Sequence, residues 1–283
     1  MKPPKDEIVQ PPKVLTIAGS DSGGAAGLQA DLKTFTTLGV YGMSAVTAVT
    51  AQNSEEIKVV HPVPNEVVAA QIDAVLGDYG ADSVKTGLIG RVEIIKTIAE
   101  LLQSHKQAKV IIDPVLVNHR GDSMFTADVV AAYVKYLLPI ADVITPNLAE
   151  ASILTGRSVR SRNDMEKAAR IILGMGPRGV LIKGFREKTD VVDLLSDQVI
   201  YTQFRSRWID TKNTHGSGDT LSAAICALLA LGLSLIDAVQ KAHDFTRQAI
   251  LFGADWEMGS GHGPIWHQSS PDPYTATSER PES

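Results

Sequence analysis

The chain of 283 residues has a single cysteine, Cys226, so neither an intramolecular disulfide nor a cysteine-built zinc cluster is open to it. Cys226 lies in an Ala/Leu-rich stretch with no basic neighbour in sequence, which marks a small buried hydrophobe rather than a reactive thiol. Positive charge is not in excess: 27 Lys and Arg stand against 32 Asp and Glu, a formal net charge of −5, and no segment carries a dense basic run. No nucleic-acid partner and no anionic membrane partner is therefore expected. Met1 to Glu7 lacks the apolar core of a signal peptide, so a cytoplasmic location is expected. The one membrane-like run, Thr220 to Ile236, carries no charge but is shorter than the ~20 apolar residues of a bilayer span. Gly232 and Ser234 interrupt it, which predicts a buried helix followed by a turn. Two nucleotide fingerprints are also missing. No Gly-Lys is followed by Ser or Thr, which argues against a P-loop, and the glycines between Gly19 and Gly27 do not keep the G-x-G-x-x-G spacing of a dinucleotide site.

Core material is ample, with 44% hydrophobic and 21% charged residues and a mean hydropathy of +0.02, the composition of a globular chain. Short apolar runs ending in polar residues recur at Val14–Ala18, Val110–Asp113, Val143–Thr145 and Val180–Lys183. Buried parallel strands read this way, delivering polar groups at their carboxyl ends. Helical patterns lie between them over Glu66–Leu76, Val92–Leu102, Ala127–Leu138 and Asp164–Leu173, and at the end over Leu221–Leu231 and Leu235–Leu251. Val191–Leu195 and Val199–Phe204, around Ser196-Asp197-Gln198, predict a β-hairpin. The expected fold class is α/β, a three-layer αβα sandwich with a central, mostly parallel sheet. The expected organisation is a single domain over residues 14–267, a flexible extension over 1–13 and a flexible tail over 268–283, because both ends are rich in Pro or in Ser, Pro and Thr.

The strongest chemical signal is Asn213-Thr214-His215-Gly216-Ser217-Gly218-Asp219, leading directly into a helix. Glycines before a helix let backbone N–H groups converge on an anion, and the helix dipole adds positive potential. Asp219 beside such an anion could accept a proton from an attacking hydroxyl, or simply cap the helix. Asp31 shares a helical stripe with Leu28, Leu32, Phe35 and Leu38, so its carboxylate needs partners or a ligand. Asn147 and Glu150 match a capping box, and Glu150 could equally hold a hydrated magnesium ion. Lys183, at the end of an apolar strand, reads as a buried-strand lysine or a phosphate ligand. The primary amide of Gln52 could be an ordinary loop group or read the exocyclic amine and ring nitrogen of an aminopyrimidine. His262 and His267 lack an acidic third ligand, so no metal site is expected there.

Taken in order, Thr16–Asp21, Gln29–Phe35, Ala51-Gln52-Asn53, Asp113-Pro114-Val115, Thr145–Glu150, Lys183-Gly184 and Asn213–Ala224 resemble the hydroxymethylpyrimidine/phosphomethylpyrimidine kinases of thiamine biosynthesis. The resemblance implies a ribokinase-like fold and ATP-dependent phosphorylation of a hydroxymethyl group. It also implies that Gly19, Asp31, Gln52, Leu88 and Val115 line a pyrimidine pocket and that Lys183, Asn147 and Thr214 meet ATP. Glu150 would serve magnesium, Gly216, Ser217 and Gly218 would form the anion hole, and Asp219 would be the base. ATP and Mg2+ are the expected cofactors, an aminopyrimidine the expected small-molecule partner, and a homodimer the expected assembly. The sequence departs from the family pattern at four places. Asp219 stands where the family commonly has cysteine, although aspartate is usual in the wider ribokinase-like group. Leu88 replaces a frequent methionine, His119-Arg120-Gly121-Asp122 replaces a Lys-Ser-Gly, and Phe185 stands where a second glycine is usual. A pyridoxal kinase and a non-catalytic ligand-binding regulator are the competing readings.

Overall fold

Strands buried on both faces must be apolar at successive positions while sending alternate side chains to opposite layers, and the central strands of this chain do both. Leu15 and Ile17 pack into one core with Val110, Ile112, Val180 and Ile182. Their neighbours Val14, Ile111 and Leu181 pack into a second core on the other face. The computed structural model describes residues 10–105, 108–118, 121–197 and 200–268. The expectations for residues 1–9 and 269–283, and for His119, Arg120, Gln198 and Val199, lie outside the described residues.

The elements are β1 (Lys13–Asp21), α1 (Gly27–Thr37), β2 (Tyr41–Gln52), β3 (Ile57–Pro62), α2 (Asn65–Asp78), β4 (Ser83–Thr86), α3 (Val92–Ser104), β5 (Lys109–Ile112), α4 (Ala127–Ala132), β6 (Val143–Ile144), α5 (Leu148–Thr155), α6 (Arg162–Leu173), β7 (Val180–Glu187), β8 (Asp190–Ser196), β9 (Tyr201–Arg207), α7 (Ser217–Ala230) and α8 (Leu235–Gly253). The strands form one sheet in the order β3-β2-β1-β4-β5-β6-β7-β8-β9. From β2 across to β7 the pairing is parallel, whereas β3 at one end and β8 and β9 at the other are antiparallel. Helices α2 to α6 contribute to the core on one face, and α7 and α8 with Phe35 of α1 form the core on the other. This is the expected α/β sandwich around a mostly parallel sheet.

After β1 the chain runs to β2 and β3 on one side and returns to β4 on the other. Connections that leave in opposite directions open a crevice at the strands' carboxyl ends. The residues that follow β1, β5, β6 and β7 and precede α7 meet there.

Several boundaries differ from the sequence reading. The helix expected over Ala127–Leu138 is α-helical only to Ala132; a π-helical turn over Tyr133–Leu137 and a 3-10 turn over Leu138–Ile140 follow. Pro139 has no N–H to give an α-helical ladder, so the segment ends there. The hairpin is present, with β9 beginning at Tyr201 and running past Phe204 to Arg207. Helix α7 starts at Ser217 rather than Leu221, which places Asp219 in its first turn. β1 begins at Lys13, and Tyr41 N–H donates to the Pro12 carbonyl, so the pairing of β1 with β2 continues one residue into the segment expected to be loose. The uncharged run does fold as a buried helix and a turn, and among the described residues no helix is long and apolar enough to cross a membrane.

Candidate active site

Helix α7 begins at a backbone position that only glycine fits. Gly216 has φ +83°, and a Cβ on it would lie 1.8 Å from the Ala25 carbonyl oxygen. The loop after β1 and the start of α7 therefore touch backbone to backbone. A similar approach closes the other side, where a Cβ on Gly27 would lie 2.4 Å from the Gly19 carbonyl oxygen. No side chain caps α7, so Asp219 is not the helix cap that its position allowed. The uncapped helix start faces a cavity of about 1000 Å³, an arrangement suited to anions.

Of the sequence-predicted residues, Gly19, Gln52, Leu88, Val115, Asn147, Lys183, Thr214, Gly216, Ser217, Gly218 and Asp219 all line that cavity. Segments up to 200 residues apart thus share one wall. Lys183 Nζ lies 2.9 Å from Asp113 Oδ1 and close to the start of α7, 3.5 Å from where a Cβ of Gly218 would be. Gln52 Nε2 lies 3.0 Å from His215 Nε2. Asp21 Oδ2 is 3.9 Å from the same ring nitrogen and accepts the N–H groups of Ala25 and Ala26 at 2.9 Å.

Two predicted residues are not brought to the cavity wall. Asp31, expected to touch substrate, has a fully buried side chain 2.5 Å from Lys85 Nζ, and Thr16 Oγ1 donates to its other oxygen at 2.6 Å. Its position on the apolar stripe of α1 turns it under the sheet edge rather than outwards. Glu150, expected to serve a metal, is closed into the capping box: Oε2 accepts Asn147 N–H at 2.8 Å, and Oε1 accepts Leu116 N–H at 3.3 Å. Among the described residues no group of three His, Cys, Asp or Glu side chains could hold a metal by itself, which includes the histidines after α8. His267 instead meets Thr220 Oγ1 at 2.8 Å, and burial pushes its imidazole down to about 4.

Beneath the wall lies a charged layer that sequence reasoning did not find. Asp113, directly after β5, receives Lys183, Thr145 Oγ1 at 3.1 Å and Ser222 Oγ at 2.8 Å. Burial alone would raise its pKa, but the ammonium groups of Lys183 and Lys85 overturn that and hold the carboxyl below its ordinary value. Burial pushes Glu150 up to about 7, with Lys183 opposing and Asp113 adding to the rise. Lys85 reaches both Asp31 and Asp219, the latter at 3.6 Å. Its only sequence signal was a lysine inside the short run Ser83-Val84-Lys85-Thr86. Cys226 is inert as expected: burial pushes its thiol up to about 12.

Residues 21–266 match the model of the phosphomethylpyrimidine kinase family. The chain belongs to that family. A hydroxymethylpyrimidine/phosphomethylpyrimidine kinase of Rhizobium meliloti is 45% identical over 255 residues, covering 89% of this chain and 96% of the relative. Among solved structures, a phosphomethylpyrimidine kinase from Clostridium difficile superposes with a TM-score of 0.76 at 37% identity, covering 84% of this chain and 99% of that one. The pyridoxal kinase of Staphylococcus aureus in complex with AMP-PCP and pyridoxal superposes with a TM-score of 0.84 at 39% identity, covering 92% and 94%. The family is one of kinases, so this phosphomethylpyrimidine kinase family member is a phosphotransferase of ribokinase-like fold.

The contact at Gly216 gives a direct test. Gly216→Ala drives a methyl group into the Ala25 carbonyl from a strained φ, so it is expected to lower the melting temperature and to abolish ADP production. A variant with wild-type melting and turnover would show that the backbone contact is dispensable.

Proposed function

We propose that this chain transfers the γ-phosphoryl group of ATP to the hydroxymethyl group of 4-amino-5-hydroxymethyl-2-methylpyrimidine, and then phosphorylates the resulting monophosphate. The observation that carries this reading is the placement of Asp219, 18% exposed, at the start of an uncapped helix, on the wall of a cavity also lined by Gln52, Leu88 and Lys183. Anion-binding amides, a cation and a carboxylate then share one space with an amide able to read an aminopyrimidine edge.

In this mechanism the hydroxymethyl O–H bond breaks as its oxygen attacks the γ-phosphorus, Asp219 takes the proton, and the bond from the γ-phosphorus to the β-bridging oxygen breaks to release ADP. Such a transition state is loose, so positioning and charge neutralisation carry most of the rate. The N–H groups at Gly216 and Gly218, together with the Lys183 ammonium, face the charge that develops, whereas the Ser217 N–H is already donated to the Thr214 carbonyl at 3.1 Å. Asn147 and Thr214 complete the nucleotide side of the wall, and Gly19, Leu88 and Val115 the pyrimidine side. The nucleotide complexes of the S. aureus relative support ATP as donor.

A magnesium ion fits this donor set as a companion of the nucleotide. Asp113 and Glu150 lie beneath the wall near Lys183, which acts on both, and Lys85 acts on Asp113 as well, so they would meet the ion through its waters while the phosphates supply direct oxygen ligands. When bound, the ion would neutralise charge on the phosphates.

Asp219→Asn keeps the shape of the wall but cannot take a proton, so turnover should fall by about 10²-fold or more while nucleotide binding is kept. Near-normal turnover would remove Asp219 from the mechanism. ADP production across hydroxymethylpyrimidine, its monophosphate, pyridoxal, pyridoxine and sugars tests the substrate. The aspartate at position 219 favours pyridoxal as the second candidate, whereas Gln52 favours the aminopyrimidine, because pyridoxal has no ring amine to read. Gln52→Leu is accordingly expected to raise the pyrimidine KM strongly with ATP KM unchanged, and an unaltered pyrimidine KM would defeat the amide-recognition argument.

The assembly we propose is a homodimer working in the cytoplasm. All six residues of β3 are exposed, including Val59 at 57% and Val60 at 49%, and this end strand pairs with β2 alone. An end strand with Val59 exposed calls for a covering partner, and a second copy offers the same edge. Val59→Lys should shift the sedimentation coefficient from dimer to monomer; a wild-type protein that sediments as a monomer would refute the proposal.

A further inference from the structure

A lysine in the middle of a sheet requires explanation, because a buried ammonium is costly unless carboxylates answer it. Lys85 has a fully buried side chain on β4, between β1 and β5. Residues two apart in a strand share a face, so Lys85 points the same way as Ser83, whose hydroxyl donates to the Cys226 carbonyl on α7 at 2.7 Å. Along α7, Asp219 precedes Cys226 by two turns. The strand and helix therefore run past each other so that Ser83 meets one end of the contact and Lys85 meets Asp219 at the cavity end. Asp31 from α1 holds Lys85 from below at 2.5 Å, and Asp31 is itself fixed by Thr16.

Asp31 alone would balance the charge of Lys85. The second carboxylate, Asp219 at 3.6 Å, is the one that reaches the cavity. We propose that Lys85 is a positioning residue of the phosphoryl transfer: anchored by Asp31, its ammonium fixes the Asp219 carboxylate at the cavity wall and balances its negative charge between turnovers. The inference rests on Asp219 as the proton acceptor and adds the groups that hold it. The charged neighbours are Asp31 on α1, Asp113 after β5, Lys183 on β7 and Asp219 on α7; the Cys226 thiol also faces Lys85. Burial would lower the pKa of Lys85, but Asp31, Asp219 and Asp113 reverse this and keep the ammonium charged. Burial pushes Asp31 up to about 7 against the pull of Lys85.

The test removes the buried pair together, so that neither Lys85 nor Asp31 is left as a buried charge without the other. Lys85→Met/Asp31→Asn should fold, with near-wild-type circular dichroism and melting, and should keep its KM for ATP and for the pyrimidine. Its kcat should fall by about 10²-fold, the cost of a misplaced reacting group. The acidic limb of its kcat–pH profile should move to higher pH, because a carboxylate without its cation protonates more readily. Adding Asp219→Asn should then cost little more, since both changes act through one carboxylate. A kcat within about threefold of wild type, or a loss that adds in full to that of Asp219→Asn, would overturn the proposal. If the double variant fails to fold, Lys85→Arg serves: it keeps the charge but displaces Asp219, so kcat should fall with both KM values and the acidic limb unmoved, and an unchanged kcat would overturn it. An active Lys85→Met/Asp31→Asn beside an inactive Asp219→Asn would sink the Lys85 assignment alone. A normal Asp219→Asn would sink the base reading and this proposal with it.

Discussion

The layer of charge sealed under the cavity floor is the constraint on which the site depends. Three carboxylates, Asp31, Asp113 and Asp219, and two ammonium groups, Lys85 and Lys183, interlock there. Asp31, Asp113 and Lys85 are buried and would each be prohibitively costly alone; each is tolerable because the others hold it. The arrangement ties α1, β4, the end of β5, β7 and α7 into one electrostatic unit. It also turns a charged group from each pair, Lys183 and Asp219, towards the cavity. The proposed mechanism uses this combination: a fixed positive group where phosphate charge would gather and a carboxylate where a proton would depart.

The fold delivers this layer through strand alternation. β4 and β5 are only four residues long, so their last side chains and the residues just beyond emerge at the carboxyl edge of the sheet. The opposite directions of the chain after β1 open the crevice above them. Two close backbone contacts, at Gly216 against Ala25 and Gly27 against Gly19, bring the loop after β1 against the start of α7. With those contacts in place, the amides before α7 face a built cavity rather than open solvent.

Much of this was legible in the residues. Glycines ahead of a helix signalled the uncapped helix start at Gly216–Gly218 on the cavity wall. The Asn147–Glu150 capping box was readable from spacing alone. The apolar runs placed the parallel strands, because strands covered on both faces admit few polar residues. The start of α7 was harder to place: Ser217 to Thr220 are not apolar, and periodicity registers a helix only where its buried face begins. The segment closes in a 3-10 turn at Pro139, which cannot donate to an α-helical ladder; nothing in the local pattern marked the change after Ala132. The charged layer was nearly invisible. A buried lysine and an exposed strand-edge lysine have the same local sequence, and the partners of Lys85 lie 54 and 134 positions away.

The sequence by itself determined the fold class and the family, and most of the site residues it singled out do lie on the cavity wall, because local pattern and ordered motifs are carried by neighbours along the chain. Tertiary structure alone decided what each carboxylate faces. Asp31 and Glu150 could have pointed at a ligand as far as sequence could tell. The structure closes Asp31 on Lys85 and Thr16, and Glu150 on the N–H groups of Asn147 and Leu116. It leaves Asp219 at the surface of the cavity. The physical reason is that the state of a buried charge is set by whichever groups the packing places within a few ångströms, and for these residues those groups come from distant parts of the chain.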